Sequence, residues 1–183
     1  MMYRYNYYAG ELIKLLGNIA GLRILDYGAG DGRITNVFKE AGADIEAVEV
    51  KYRLVDELKK RGIKAWHVSD ERVRQYDIIL MNNAFFYVHP KDRENLLHKF
   101  YHLLKPGGRL LLSDIPDFHK RHRWYKNYIK TAWTRLIPIF QPRLGGWWVD
   151  LNNLQKQVKK AGFAWAVKWD SWAYYRTHLL VFK

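Results

Sequence analysis

Helical and strand-like hydrophobic patterns alternate along the first two thirds of this 183-residue chain. Leu12, Leu15, Leu16 and Ile19 recur at helical spacing, and an apolar stretch typical of a buried strand follows them. Strands are predicted at about 23–27, 45–50, 63–68, 77–81 and 109–113, and helices at about 34–41, 54–61 and 96–104. Strands that alternate with helices form parallel βαβ units with right-handed crossovers. The chain, residues 1–183, is therefore predicted to be one α/β domain.

The end of the chain departs from this alternation. A helix is predicted over 151–161, with Asp150 as its N-cap, and two strands follow at about 164–169 and 177–182. No helix is predicted between these two strands. We therefore expect them to form an antiparallel pair at one edge of the sheet.

Positive charge is concentrated in the last third of the chain. Residues 1–115 carry 18 basic and 15 acidic side chains, whereas residues 116–183 carry 13 basic and three acidic ones. Residues 116–149 form an insertion longer than a crossover requires, and such segments commonly carry function. Apolar side chains at helical spacing predict a helix in it: Tyr125, Tyr128, Ile129, Ala132, Trp133 and Leu136. We expect this basic, aromatic insertion to meet an anionic or aromatic partner.

Composition excludes several kinds of site. The chain has no Cys, so a disulfide framework, a thiolate nucleophile, a Cys-ligated zinc and an iron–sulfur cluster are ruled out. The first residues lack the pattern of a secretory signal, and no apolar run reaches the length that crosses a bilayer. We therefore expect a cytoplasmic protein.

A glycine-rich turn follows the first predicted strand and precedes a helix. It contains Gly28, Gly30 and Gly32, with Asp26 two residues before the first glycine. Glycines at such a turn let the backbone approach a ligand closely. A dinucleotide fingerprint would need its third glycine at Arg33, and a Gly-Lys-Ser/Thr phosphate loop is missing. The spacing therefore excludes both the dinucleotide fingerprint and the phosphate loop.

This turn and three later segments resemble, in the same order, the Rossmann-like class of S-adenosylmethionine-dependent methyltransferases. Glu49 ends the second strand, where the family's acid accepts hydrogen bonds from both ribose hydroxyls. Asp70 and Glu71 follow the third strand, where an Asp of the family contacts the adenine amino group. Residues 77–82 and 104–110 look like the family's fourth-strand and Pro-Gly-Gly signatures.

The resemblance covers about residues 23–114 and implies both a fold and a cofactor. The implied fold is a seven-stranded, mostly parallel sheet of order 3-2-1-4-5-7-6, flanked by helices, with the last strand antiparallel and a helical insertion after the fifth strand. The implied enzyme is a methyltransferase that uses S-adenosyl-L-methionine. The residues that the resemblance assigns to the cofactor are Asp26, Gly28, Gly30, Gly32, Glu49, Asp70, Glu71 and Asn82.

The resemblance does not decide between several classes of methyl acceptor. A small molecule under the aromatic insertion is the preferred acceptor, and a lipid-like or membrane-surface substrate and RNA are alternatives, through Arg123, Lys126 and Lys130. Methylation at C5 of a pyrimidine through a cysteine adduct is excluded. The loop Asn82-Asn83-Ala84-Phe85 lacks the two prolines of enzymes that methylate base amines. A nucleic-acid or membrane-binding module on a relic of this fold is the non-enzymatic alternative.

Candidate catalytic groups follow the fourth and fifth strands. His119 and His122 are three residues apart and share a face if helical, so that either could act as a base. Tyr87 and His89 follow the fourth strand and are comparable candidates, and no metal site is expected. The tyrosines near the N-terminus have two open interpretations, a lid over the cofactor or packing for the first helix: Tyr3, Tyr5, Tyr7 and Tyr8.

Overall fold

Helices and strands alternate through the structure as the hydrophobic pattern predicts. The computed structural model describes residues 2–70, 74–125, 140–141, 145–171 and 175–183. The helices are α1 (Met2–Leu16), α2 (Arg33–Glu40), α3 (Tyr52–Lys60), α4 (Arg93–Leu103), α5 (Arg121–Tyr125) and α6 (Leu151–Lys160). The strands are β1 (Arg23–Tyr27), β2 (Asp44–Glu49), β3 (Lys64–His67), β4 (Tyr76–Asn82), β5 (Leu104–Pro116), β6 (Phe140–Gln141), β7 (Gly146–Trp147), β8 (Trp165–Asp170) and β9 (Arg176–Phe182). In this part of the chain no helix is long and apolar enough to cross a membrane.

One sheet of seven strands organises the protein, in the order β3-β2-β1-β4-β5-β9-β8. The strands from β3 to β5 pair in parallel, and β9 is antiparallel to both of its neighbours. Counted within this sheet alone, the order is 3-2-1-4-5-7-6 with the last strand antiparallel, which confirms the predicted topology. The short strands β6 and β7 form a separate antiparallel pair inside the insertion.

Apolar side chains cover both faces of the sheet. On one face, Leu12 of α1 and Phe38 of α2 are fully buried. On the other face, α4 and α6 contribute Phe100 and Leu154 to a second buried cluster. Because a parallel sheet is buried on both faces, its functional groups collect at the carboxyl ends of its strands.

The insertion starts and ends side by side at the end of β5. The Val149 N–H donates to the Pro116 carbonyl, and the Phe118 N–H donates to the Val149 carbonyl, both at 2.9 Å. The predicted helix around Tyr128 and Trp133 lies outside the described residues. Both ends of the insertion are therefore fixed to the sheet by backbone hydrogen bonds.

Two glycines of the turn after β1 differ in what surrounds them. A Cβ at Gly32 would lie 2.3 Å from Leu58 Cδ2 and 3.1 Å from Ile63 Cδ1, both in a buried cluster. A Cβ at Gly30 would meet nothing within 4 Å. Both glycines have positive φ, 73° and 59°. Gly32 therefore serves packing between the turn and α3, whereas Gly30 faces open space.

The contrast between these glycines predicts different losses of stability. Both Gly30→Ala and Gly32→Ala place an L-residue in the left-handed region, which costs about 1–2 kcal/mol. Gly32→Ala adds overpacking against Leu58, about 1–3 kcal/mol more. Urea denaturation followed by circular dichroism should show the larger loss for Gly32→Ala. Equal losses in the two variants would contradict the assignment of Gly32 to packing.

Candidate active site

A cleft of about 1000 Å³ opens at the carboxyl ends of β1, β2 and β4. Gly28 and Gly30 line it from the turn after β1, and Glu49 lines it from the end of β2. Asn82 and Tyr87 line it from β4 and the loop that follows. The fold thus brings these five predicted site residues together, as expected where parallel strands end at one edge.

The Glu49 carboxylate is the buried anion of this cleft, with 5% of the residue exposed. Its Oε2 accepts a hydrogen bond from the Gly30 N–H at 2.9 Å. Its Oε1 accepts from the N–H groups of Val50 and Lys51 at 2.8 and 3.2 Å. Backbone donors of this kind stabilise a buried carboxylate. They hold Glu49 in place at the edge of the cleft.

Val50 was not among the residues predicted for the site, although it lines the same cleft. It is 59% exposed, unusual for an apolar side chain next to a buried strand. The Tyr52 and His67 rings stack beside it, with centroids 3.8 Å apart. An apolar residue directly after the acid of β2 was the signal that could have identified it.

Asp26 lies beneath the turn and does not line the cleft. It is 1% exposed, and its carboxylate accepts a hydrogen bond from the Thr35 hydroxyl at 2.6 Å. Burial raises the pKa of Asp26 to about 7, the Thr35 hydrogen bond opposes this change, and the neighbouring Glu49 carboxylate adds to it. The structure therefore joins Asp26 to the start of α2, and its contact with the cofactor stays a prediction.

Three further residues predicted for the cofactor also lie away from the cleft lining or outside the described residues. Asp70 is exposed and accepts a hydrogen bond from the Ser69 hydroxyl at 2.9 Å. Gly32 packs on α3, and Glu71 lies outside the described residues. Their roles toward the cofactor stay predictions.

Asn82, at the end of β4, is held by two hydroxyl groups. Its Oδ1 accepts hydrogen bonds from the Tyr8 hydroxyl and the Ser113 hydroxyl, each at 2.8 Å. Burial raises the pKa of the Tyr8 phenol above its ordinary value, so this hydroxyl keeps its proton and donates. Tyr8 thus reaches from α1 to the cleft edge, whereas Tyr7 is largely exposed.

The candidate catalytic groups are not gathered in one place. Tyr87 lines the cleft and is 57% exposed. His89 packs edge-on against Trp147, with ring centroids 5.0 Å apart. His119 and His122 do not line the cleft, and His119 Nε2 lies 3.2 Å from the Asp150 carboxylate.

Asp150 explains the position of His119. It accepts hydrogen bonds from the N–H groups of Asn152 and Asn153, so it is the N-cap of α6, as predicted. His119 therefore contacts a helix cap. Of the four catalytic candidates only Tyr87 borders the cleft, and its catalytic role stays a prediction.

Comparison with known proteins identifies the family. The chain matches the methyltransferase domain family over residues 2–167. The chain belongs to this family. The match confirms the predicted family and enzyme class, whose methyl donor is S-adenosylmethionine.

The relatives of this chain are distant in sequence. An uncharacterised methyltransferase of Staphylococcus carnosus is 28% identical over 108 residues, which cover 57% of this chain and 52% of that protein. The demethylmenaquinone methyltransferase of Tropheryma whipplei is 24% identical over 170 residues, 82% of this chain and 70% of that protein. The chain thus spans about half the length of the first of these relatives.

A solved structure has the same fold. The magnesium protoporphyrin IX methyltransferase of Synechocystis, solved with bound S-adenosylhomocysteine, superposes with a TM-score of 0.72 at 16% identity. The similarity covers 100% of this chain and 83% of that one.

The raised pKa of Asp26 predicts how stability depends on pH. Between about pH 4 and 7 the folded protein keeps the Asp26 proton that the unfolded chain has lost, so the free energy of unfolding falls as pH rises through this window. A pKa that differs by one between the folded and unfolded states corresponds to about 1.4 kcal/mol. In Asp26→Asn this contribution is removed, and urea midpoints measured from pH 4.5 to 8 should fall less steeply than in the wild type. An unchanged slope would show that the carboxyl is not protonated in the fold.

Proposed function

We propose that this protein transfers a methyl group from S-adenosylmethionine to a small-molecule acceptor in the cleft between β1, β2 and β4. The observation that carries the proposal is the buried Glu49 carboxylate, bonded to the Gly30 N–H of the glycine turn. A carboxylate beside an open glycine backbone suits a ligand that offers a diol and a polar chain. Membership of the methyltransferase domain family supports the same conclusion.

Glu49 and the residues around it would each bind a different part of the methyl donor. Glu49 would accept hydrogen bonds from the ribose hydroxyls, and the exposed Val50 side chain would pack against the adenine. Gly30, where a side chain would fill the open cleft, would let the backbone approach the rest of the donor. When bound, S-adenosylmethionine supplies a methyl group on a positively charged sulfur, which is a reactive electrophile.

The acceptor would occupy the part of the cleft bordered by β4 and its following loop. Ala84, Tyr87 and Val88 line this part and give it an apolar and aromatic character. A cleft of about 1000 Å³ lies at the upper end of the range of ligand sites, which suits a donor and a small acceptor together. The acceptors named for the relatives, demethylmenaquinone and a porphyrin, are small molecules with extended ring systems.

Orientation is the main contribution that the chain itself would make to the reaction. Transfer of a methyl group between two bound molecules needs a short, in-line approach, and holding them so supplies much of the acceleration. Tyr87 is the predicted catalytic residue that lines this part of the cleft, and Asp92 and Lys99 also line the cleft. The alternatives of RNA or a membrane surface rest in part on Lys126 and Lys130, which lie outside the described residues.

Glu49 is the position at which this function is tested. Glu49→Ala removes a charged acceptor of hydrogen bonds and should weaken binding of S-adenosylmethionine by about 2–3 kcal/mol in titration calorimetry. Glu49→Gln keeps the shape of the side chain, and its affinity for S-adenosylmethionine should lie between those of the wild type and Glu49→Ala. Glu40→Gln, at the exposed end of α2, is the matched control and should bind like the wild type.

Thermal denaturation of each variant separates lost binding from lost folding. An unchanged dissociation constant in a folded Glu49→Ala protein would remove Glu49 from the site. Failure of the wild-type protein to bind S-adenosylmethionine at all would contradict the proposed function.

A further inference from the structure

Asn82 and Asn83 form a pair of side-chain amides at the cleft edge, directly after β4. Both line the cleft. Asn82 Oδ1 accepts from Tyr8 and Ser113, so both of its lone pairs are used within the protein. The carbonyl end of this amide is therefore fixed away from any ligand.

Asn83 is fixed by a different residue. It has a φ of 49°, in the left-handed region, and its Oδ1 accepts a hydrogen bond from Arg176 Nη1 at 2.5 Å. The same nitrogen donates to the Asp114 carbonyl at 2.7 Å and to its carboxylate at 3.0 Å. Arg176 is 9% exposed, and Asp114 also has a positive φ, 58°. One buried guanidinium thus holds two residues of positive φ, one directly after β4 and one in the bulge of β5, and backbone strain of this kind is concentrated at functional sites.

The hydrogen bonds to the Oδ1 atoms of Asn82 and Asn83 leave the Nδ2 atom of each amide available. Among the residues that the structure describes, no acceptor bonds the Nδ2 group of Asn82 or of Asn83. Each Nδ2 carries two N–H donors. A half-buried Asn82 and an exposed Asn83 therefore place Nδ2 donors at this edge of the cleft, whereas the Oδ1 atoms of both amides are engaged by the protein.

We propose that the Asn82–Asn83 amide pair binds an oxygen atom of the methyl acceptor, and that this acceptor is an aromatic compound carrying a carbonyl or phenolate oxygen. The inference rests on the proposed function and adds its substrate class. The apolar lining by Ala84, Tyr87 and Val88 suits the ring, and the two amides suit its oxygen. The N–H groups of an aromatic amine would face the Nδ2 donors of the two amides. Donors would then be left unpaired, which disfavours binding of the amine.

Tyr8 and Arg176 act in this proposal as positioning residues. Neither has to contact the acceptor, because each fixes one amide through its Oδ1 atom. Loss of the Tyr8 hydroxyl leaves Asn82 Oδ1 held by the Ser113 hydroxyl alone, so the orientation of this amide is less fixed. The selectivity for an oxygen-bearing ring should then fall while the affinity for the donor stays.

The test is equilibrium dialysis of three ring compounds against the protein loaded with S-adenosylhomocysteine. The compounds are 1,4-naphthoquinone, 1-naphthylamine and naphthalene, which share a ring system and differ in its polar groups. The chain has no Cys, so the quinone meets no thiol with which to form an adduct. The wild-type protein should bind the quinone about tenfold more tightly than the other two, as one or two hydrogen bonds would provide. Equal binding of the three, or no binding of the quinone, overturns the proposal.

Asn83→Asp is the sharpest variant, because it keeps the shape, tolerates the left-handed conformation and leaves one oxygen for Arg176. It replaces the free Nδ2 with an oxygen, and the preference should shift from the quinone to the amine. The oxygen atom that the two amides bind could instead belong to the carboxylate of the methyl donor. If Asn83→Asp weakens S-adenosylhomocysteine and leaves the quinone unchanged, the amides serve the donor and the proposal is wrong.

Tyr8→Phe and Tyr7→Phe form a matched pair on neighbouring positions of α1. Tyr8→Phe should lose part of the preference for the quinone with unchanged binding of S-adenosylhomocysteine, whereas the exposed Tyr7→Phe should keep both. An equal effect of the two variants overturns the positioning role. Failure of the wild-type protein to bind S-adenosylhomocysteine would instead refute the proposed function itself.

Discussion

The hydrogen bond from the Gly30 N–H to the Glu49 carboxylate ties the two halves of the site together. It joins the turn after β1 to the end of β2, strands that run parallel in register from Arg23 and Asp44 to Tyr27 and Val48. The carboxylate is buried, so it needs donors, and the turn and its own strand end supply three of them. The position of the anion and the shape of the glycine turn therefore depend on each other.

A second polar network borders the other side of the cleft. Arg176 at the start of β9 bonds Asn83 and Asp114, and Tyr8 reaches Asn82 from α1. Burial lowers the pKa of His178 to about 4, and this neutral ring accepts a hydrogen bond from the Asp114 N–H. A bulge in β5 opens at this point, where the pairing with β9 shifts between Leu112 and Ile115. Several hydrogen-bond partners at once hold the two residues of positive φ in place at this edge of the cleft.

Local patterns predicted the parts of the molecule that depend on neighbours in the chain. The alternating periods predicted the helices and strands. The family resemblance carried by Gly28, Gly30, Gly32 and Glu49 implied the strand order and the donor side of the cleft. The polar network could not be predicted in this way, because Arg176 lies 93 residues from Asn83 and Tyr8 lies 74 residues from Asn82. The periodicity of a sequence does not indicate hydrogen bonds between residues so far apart in the chain.

Contacts between residues distant in sequence also explain why the predicted catalytic role of His119 and His122 was not supported by their position. The spacing of His119 and His122 was compatible with a catalytic base, but the fold turns His119 to the cap of α6. Asp26 shows the converse case: its place in the motif was recognised, whereas its burial beneath the turn depends on how α2 packs.

A crystal structure of the protein with S-adenosylhomocysteine tests the central claim most directly. The account predicts that both ribose hydroxyls lie within hydrogen-bond distance of the Glu49 carboxylate and that the sulfur faces the Asn82–Asn83 edge. A ligand bound elsewhere, or a Glu49 carboxylate that contacts only its backbone donors, would contradict it.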